Sequence, residues 1–205
     1  MALALQLSGL WHEDETMIQC EGRSIWFWEM IDEDTKFMVA SHLSGTRTLE
    51  DTIAIFKKGF EQSKVRPKAV FVDGSFVYSR AFNKVFYTQR KDTRPELVQR
   101  VGVKTRETNN MVERLHGTLK DRTKPMRGLK SFESTKSILE GYTVHYNCVR
   151  PHQSLGGKTP AQVARMNAPN SWKGLIEEAT KHEAKLLINA VKPIHERQGL
   201  KVVSK

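Results

Sequence analysis

Three consecutive segments of strand length, separated by short polar turns, most constrain how this chain can fold. They are Leu10 to Cys20, 24–31 and 37–43. Short polar turns between such segments favour antiparallel hairpins. The N-terminal part is therefore expected to form three antiparallel strands of one sheet.

Helix and strand patterns then alternate. Thr48 fits a helix N-cap with Asp51 three positions later, and it opens an amphipathic helix through about Gln62. The apolar run 69–72 is typical of a buried strand. We next expect a short helix over 79–85, a strand near 86–89 and a loop over 90–106. This order predicts a mixed sheet flanked by helices.

The C-terminal half is predicted to be helical. Val112, Leu115 and Leu119 form the apolar stripe of a helix over 108–124. Further helices are expected over 131–147, over 159–166 and in the tail after residue 169. Residues 1–165 should form one α/β domain, and residues 166–205 a basic helical tail.

Charge is distributed unevenly along the sequence. Residues 1–78 hold 8 Lys or Arg against 12 Asp or Glu, whereas residues 79–205 hold 25 against 11. A basic half fits a polyanion such as nucleic acid, although an ordinary soluble surface is the alternative. No apolar run approaches the roughly 20 residues that span a bilayer. We expect a cytoplasmic, nucleoid-associated protein without membrane contact.

Two candidate acids lie in strand-like surroundings. Asp14 stands between Glu13 and Glu15, and strand alternation alone does not select it over its neighbours or over a solvated edge position. Asp73 ends the apolar run and precedes Gly74, which suits either a site ligand or a turn former. Both interpretations of each acid remain open at this point.

A third acid, Glu113, lies on the helix over 108–124. His116 and Lys120 share its side of the helix, so an exposed ion-pair face is the alternative to a site. Gly117 weakens that alternative, because glycine inside a helix suggests close approach of a strand, a nucleic-acid backbone or another helix. Two Asp and one Glu without Cys suit Mg²⁺ or Mn²⁺. Two such ions can support an in-line phosphoryl displacement.

Four segments carry a family resemblance. They are residues 11–16, 72–74, 109–124 and 146–155. In order and spacing, over about residues 10–165, they resemble the DDE transposases of bacterial and archaeal insertion sequences, which are related to retroviral integrases. The resemblance implies an RNase H-like fold with a mixed five-stranded sheet.

The resemblance also implies the chemistry. It selects Asp14, Asp73 and Glu113 as catalytic metal ligands, a choice that the spacing alone left open. It also assigns Lys120 to the DNA near the reacting phosphate. The implied activity is metal-dependent DNA strand cleavage followed by strand transfer. The implied cofactor is Mg²⁺, for which Mn²⁺ can substitute, with two ions in the site.

Double-stranded DNA, as transposon ends and target, is the partner that the resemblance implies, bound by a homodimer or higher oligomer. The candidate DNA contacts are His116, Lys120, Arg122, Lys124, Arg127, Lys130, Arg150 and His152. Related full-length transposases carry a helix-turn-helix region before the first Asp, whereas 13 residues precede Asp14 here. One alternative is therefore a truncated, non-catalytic DNA-binding remnant, and another is an RNase H-like nuclease.

Overall fold

The computed structural model describes residues 5–100, 110–126 and 129–197. The strands are β1 (Leu10–Cys20), β2 (Arg23–Asp32), β3 (Met38–Ser44), β4 (Ala69–Asp73) and β5 (Glu96–Arg100). The helices are α1 (Leu49–Ser63), α2 (Phe76–Phe86), α3 (Asn110–Thr123), α4 (Phe132–Val144), α5 (Pro160–Val163) and α6 (Trp172–Arg197). The chain divides into two compact units, Met1–Asn167 and Ala168–Lys205. No described helix is long and apolar enough to cross a membrane.

The five strands form one mixed sheet in the order β3-β2-β1-β4-β5. β1 pairs with β2, and β2 with β3, in antiparallel fashion, whereas β4 is parallel to both β1 and β5. The mixed five-stranded sheet predicted from the sequence is confirmed. Its central strand is β1, so residues of β1 can meet side chains from helices on both faces.

α1 and α2 cover one face of the sheet. A Cβ added to Gly59 of α1 would lie 2.7 Å from Met30 Sδ, so a larger residue there would force the Met30 side chain or the helix to shift. Phe56 of α1 packs against the rings of Phe82 and Phe86 of α2. The Thr48 N-cap is confirmed, because the Asp51 carboxylate accepts the Thr48 backbone N–H at 2.9 Å.

α3 and α4 cover the opposite face. The stripe of Val112, Leu115 and Leu119 is buried there against strand residues such as Ile18 and Phe27. The apolar period of α3 therefore predicts its core-facing side correctly. Alternate residues of β1 face the two helical layers, which separates Asp14 from its neighbours Glu13 and Glu15.

A π-helical turn, His145–Val149, directly follows α4 and lies beside the edge strand β3. The Asn147 side chain accepts the backbone N–H of Met38 at 2.8 Å and donates to the Met38 carbonyl at 3.0 Å. Asn147 thus satisfies an edge-strand residue that has no further strand beside it. The residues that follow this turn, including Arg150 and His152, are held beside α3.

The position predicted for the fifth strand is wrong. The segment 86–89 is not a strand, because Phe86 ends α2 with its ring packed against Phe56 and Phe82. β5 instead lies within the segment predicted as a loop, directly after Pro95. It is an edge strand whose apolar residues, Leu97 and Val98, are only half-buried, so its apolar signal is weak.

Candidate active site on β1, β4 and α3

Asp14 and Asp73 stand on neighbouring strands. The parallel register of β1 and β4 pairs His12 with Phe71, and their stacked rings have centroids 4.6 Å apart. Two residues further along each strand, on the same face, come Asp14 and Asp73. Burial is the largest cause of a raised pKa at Asp14, and the charge of Asp73 adds to it. The structure therefore brings together two of the three predicted acids.

The surroundings of Asp14 disfavour its charged form. Burial is the largest cause, and the charges of Glu15 and Asp73 add to it, whereas His116 opposes it. The Glu15 backbone N–H also opposes it by donating to Asp14 Oδ1 at 2.9 Å. Together these effects raise the pKa of Asp14 from 3.8 to about 6. A cation bound beside this carboxylate would relieve the unfavourable charge.

A buried acid and histidine, which sequence reasoning missed as a pair, lie beside Asp14. Glu29 is opposite Asp14 in the β1–β2 register and is fully buried. His116 of α3 has Nε2 3.0 Å from Glu29 Oε2 and Nδ1 3.9 Å from Asp14 Oδ2. The Nε2 contact lacks hydrogen-bond alignment, so it is mainly electrostatic. Burial raises the pKa of Glu29, and His116 opposes that rise.

The location of His116 bears on its predicted DNA contact. Only 7% of its surface is exposed, and it lies between two carboxylates. The contact with DNA stays a prediction, while the observed geometry favours an action of His116 on Asp14. An acid at position 29 within an otherwise apolar strand segment was the available sequence signal for this pair.

A second network reaches Asp73 and was also missed. The Tyr78 hydroxyl donates to the buried Glu15 carboxylate, which contacts the Arg47 guanidinium. Arg47 Nη2 is also 3.4 Å from Asp73 Oδ2, and the guanidinium lies over the Trp26 ring, 5.2 Å from its centroid. Arg47 thus partly neutralises Asp73. Nothing in the sequence spacing joins a loop residue between β3 and α1 to an acid on β4.

Glu113, the third predicted acid, is exposed in the first turn of α3. Within the described ranges, no three His, Cys, Asp or Glu side chains are placed to hold one metal ion. Glu113 is therefore not gathered with Asp14 and Asp73 here. His116, one turn later on the same helix, does approach Asp14, so α3 passes beside the two aspartates.

The predicted basic contacts lie in two places. Lys120, Arg122, Lys124 and Lys130 are exposed on α3 and on the segment after it. Arg150 and His152 are half-buried and line a cavity beside α3. Arg127 lies outside the described residues. Contact of each with DNA stays a prediction.

Glu13, on the opposite face of β1 from Asp14, is an unusual buried acid. It is fully buried, and neither carboxyl oxygen has a hydrogen-bond partner among the described residues. Burial is the largest cause of a pKa raised well above 4.5, and the charges of Glu15 and Asp14 add to it. The nearby Tyr78 hydroxyl opposes the rise, although its hydrogen bond goes to Glu15.

Glu13→Met is expected to raise the free energy of unfolding at pH 8 by about 1–3 kcal/mol, because it removes a buried polar group without partners. The raised pKa makes the folded chain bind the proton more tightly, so wild-type stability falls as pH rises above 4.5. Urea unfolding at pH 8 and pH 4.5 should show the larger gain at pH 8. An equal or larger gain at pH 4.5 would contradict this account.

Comparison with known proteins agrees with this architecture. The family model for the DDE domain of IS240-type transposases matches residues 8–152. The HTLV-2 integrase catalytic core domain in complex with magnesium, in its dimeric form, is similar with a TM-score of 0.57 at 14% identity. The match covers 80% of this chain and 99% of that one. The trimeric form gives a TM-score of 0.56 at 15% identity, with the same coverage.

A chain of the simian T-cell lymphotropic virus intasome, in complex with PP2A regulatory subunit B56 gamma, is similar with a TM-score of 0.55 at 15% identity. The match covers 82% of this chain and 58% of that one, so this chain spans less than two thirds of the intasome chain. No curated protein sequence matches.

The mixed five-stranded sheet with helices on both faces is the fold of integrase catalytic cores. With this fold and the matched DDE domain, the protein is a polynucleotidyl transferase of the transposase and integrase class. The chain belongs to the DDE domain family of IS240-type transposases. The resemblance identified from the sequence is therefore confirmed.

Proposed function

We propose that this chain cleaves and joins DNA strands at the site formed by Asp14, Asp73 and Glu113. The observation that carries the proposal is the pair Asp14 and Asp73, whose like charges stand together on adjacent strands. Burial and these charges raise the pKa of Asp14 to about 6. Such a pair is suited to a divalent cation.

The donor set fits Mg²⁺, or Mn²⁺ in its place, because Asp14 and Asp73 offer carboxylate oxygens without nearby thiols. Glu113 would complete the set from α3. When bound, two such ions would activate the attacking oxygen and stabilise the leaving oxygen. His116 and Arg47 are placed to hold Asp14 and Asp73, respectively, in position.

The basic residues would position the DNA. Lys120, two turns after Glu113 on α3, would contact the strand near the reacting phosphate. The exposed residues after it would make phosphate contacts that carry no sequence information. Two transposon ends and a target must meet, so we also propose a homodimer or higher oligomer on DNA.

The test is a strand-transfer assay with a pre-cleaved terminal-repeat duplex, a target plasmid and either Mg²⁺, Mn²⁺ or EDTA. Wild-type chain should give joined product with either metal and none with EDTA, because the reaction requires a cation. Asp73→Asn should give no product while still binding the duplex. The exposed-acid variant Asp34→Asn serves as the matched control and should join normally.

The other outcomes discriminate between the alternatives. Duplex binding without cleavage or joining under every metal condition would support a DNA-binding remnant. Metal-dependent cleavage of branched DNA or RNA hybrids without joining would support an RNase H-like nuclease. Either result would overturn the proposal of strand transfer.

A further inference from the structure

A cavity of about 390 Å³ lies on the flank of α3 that faces away from Asp14. Its lining residues are Lys36, Met111, Arg114, Leu115, Thr118, Tyr146, Arg150, His152 and Ser154. Side chains at 111, 114 and 118 lie on one flank of a helix, whereas those at 113, 116 and 120 lie on the other. The cavity and the acidic site are therefore separated by the width of α3.

The cavity is cationic. Lys36, Arg114 and Arg150 line it, and no carboxylate among its lining residues offsets them. None of the three is ion-paired with a described acid, although Lys36 Nζ donates to the Glu33 carbonyl at 2.6 Å. Converging cations without an acidic partner form a site for an anion.

His152 adds a polar atom to this cavity. Its ring packs edge-on against Tyr146 with centroids 4.6 Å apart. Its Nε2 is buried and has no hydrogen-bond partner among the described residues. Burial and the charge of Arg150 lower the pKa of His152, while a hydrogen bond to the Tyr146 backbone opposes this. An anion in the cavity would favour the protonated ring, in which Nε2 donates to a phosphate oxygen.

Gly117 lies on the outer surface of α3 between the two flanks. It is exposed, and a Cβ added there would meet no described atom within 4 Å. No close approach within the described part of the chain therefore requires glycine, although glycine lowers helix stability relative to alanine. A molecule that passes closely over α3 would explain why residue 117 is glycine.

We propose that a DNA strand leaving the acidic site crosses α3 over Gly117 and places a backbone phosphate in the cavity lined by Lys36, Arg114 and Arg150. This inference rests on the proposed function, since it takes DNA as the substrate. The guanidinium groups of Arg114 and Arg150 match the geometry of phosphate oxygens. The bare surface at Gly117 lets the strand stay close to α3 between the two sites.

The first test measures binding of a fluorescent DNA duplex over a range of salt concentrations. Each phosphate contact contributes about 0.9 to the slope of log affinity against log salt. Arg114→Gln and Arg150→Gln should each lower that slope by about 0.9 and weaken binding several-fold. Lys84→Gln, which removes an exposed cation from α2 on the other face of the sheet, should leave the slope unchanged. Arg114→Gln with the wild-type slope would overturn the inference.

The second test uses Gly117. Gly117→Leu should weaken duplex binding at least several-fold, because the side chain occupies the path of the strand, whereas the smaller Gly117→Ala should have much less effect. Both residues favour a helix over glycine, so thermal melts should show a fold at least as stable as wild type. Equal duplex affinity for Gly117→Leu, Gly117→Ala and wild type would overturn the crossing over α3.

These measurements separate this inference from the proposed function. A wild-type chain that binds duplex but joins no strands would contradict strand transfer, while the slopes and the Gly117 variants would still decide the path of the DNA. Conversely, normal joining with wild-type slopes in the Arg114 and Arg150 variants would contradict only the phosphate site.

Discussion

Asp14→Asn is expected to abolish strand transfer and, at the same time, to stabilise the metal-free chain at pH 8. The loss of joining should be at least roughly 10³-fold, because bound metal ions supply several kcal/mol of transition-state stabilisation. The gain in stability follows from the surroundings of Asp14, which bury a carboxylate among like charges. The burial and the like charges that favour cation binding at Asp14 therefore lower the stability of the chain when no cation is bound.

The direction of this stability change follows from proton binding by Asp14. The pKa of Asp14 rises from 3.8 to about 6 in the folded chain, so the folded chain binds the proton more tightly between these values. Stability therefore falls as pH rises through this window and stays lowered above it. A shift from 3.8 to about 6 corresponds to about 3 kcal/mol as an upper figure. The amide of Asn carries no charge and removes this penalty.

Thermal melts at pH 4 and pH 8, with and without Mg²⁺, test this prediction. Asp14→Asn should melt higher than wild type at pH 8 in EDTA, and the difference should shrink at pH 4. Mg²⁺ should stabilise wild type by binding its folded form, but should stabilise the variant much less. Asp34→Asn should follow wild type throughout. A variant that melts lower than wild type at pH 8 in EDTA would contradict the account.

Local patterns predicted the parts of the site that depend on one element at a time. The apolar run 69–72 identified β4, and its last residue, Asp73, was correctly placed at the strand end. The stripe on α3 fixed which side of that helix is buried. Alternation on β1 did not select Asp14 among three consecutive acids. The family resemblance made that choice, and the parallel register of β1 and β4 puts Asp14 on the same face of the sheet as Asp73.

The contacts that were missed join elements far apart in sequence. Arg47 contacts Asp73 only because β4 lies beside β1 in the sheet. No hydrophobic periodicity in the sequence predicts that pairing of strands. Glu29 contacts His116 for two reasons. The β1–β2 register places Glu29 opposite Asp14, and α3 packs across the sheet at the same position. β5 was missed because an exposed edge strand needs few apolar residues. In each case tertiary geometry, rather than local propensity, decides the outcome.

The contact between His116 and Glu29 should have the largest effect on stability. His116→Ala is expected to lower the free energy of unfolding by about 3–5 kcal/mol, because the fully buried Glu29 carboxyl loses the imidazole that lies 3.0 Å from it and opposes its raised pKa. Urea unfolding followed by circular dichroism measures this loss. Lys120→Ala, one turn later and exposed, is the matched control and should change stability by less than about 0.5 kcal/mol.

The double variant Glu29→Gln/His116→Ala isolates the charge effect from the loss of packing. If the cost of His116→Ala arises from an uncompensated buried carboxylate, the double variant should be more stable than His116→Ala alone. If the cost arises only from the cavity left by the imidazole, adding Glu29→Gln should recover nothing. Recovery of stability without recovery of strand transfer would further indicate that His116 also acts on Asp14, since its Nδ1 lies 3.9 Å from that carboxylate.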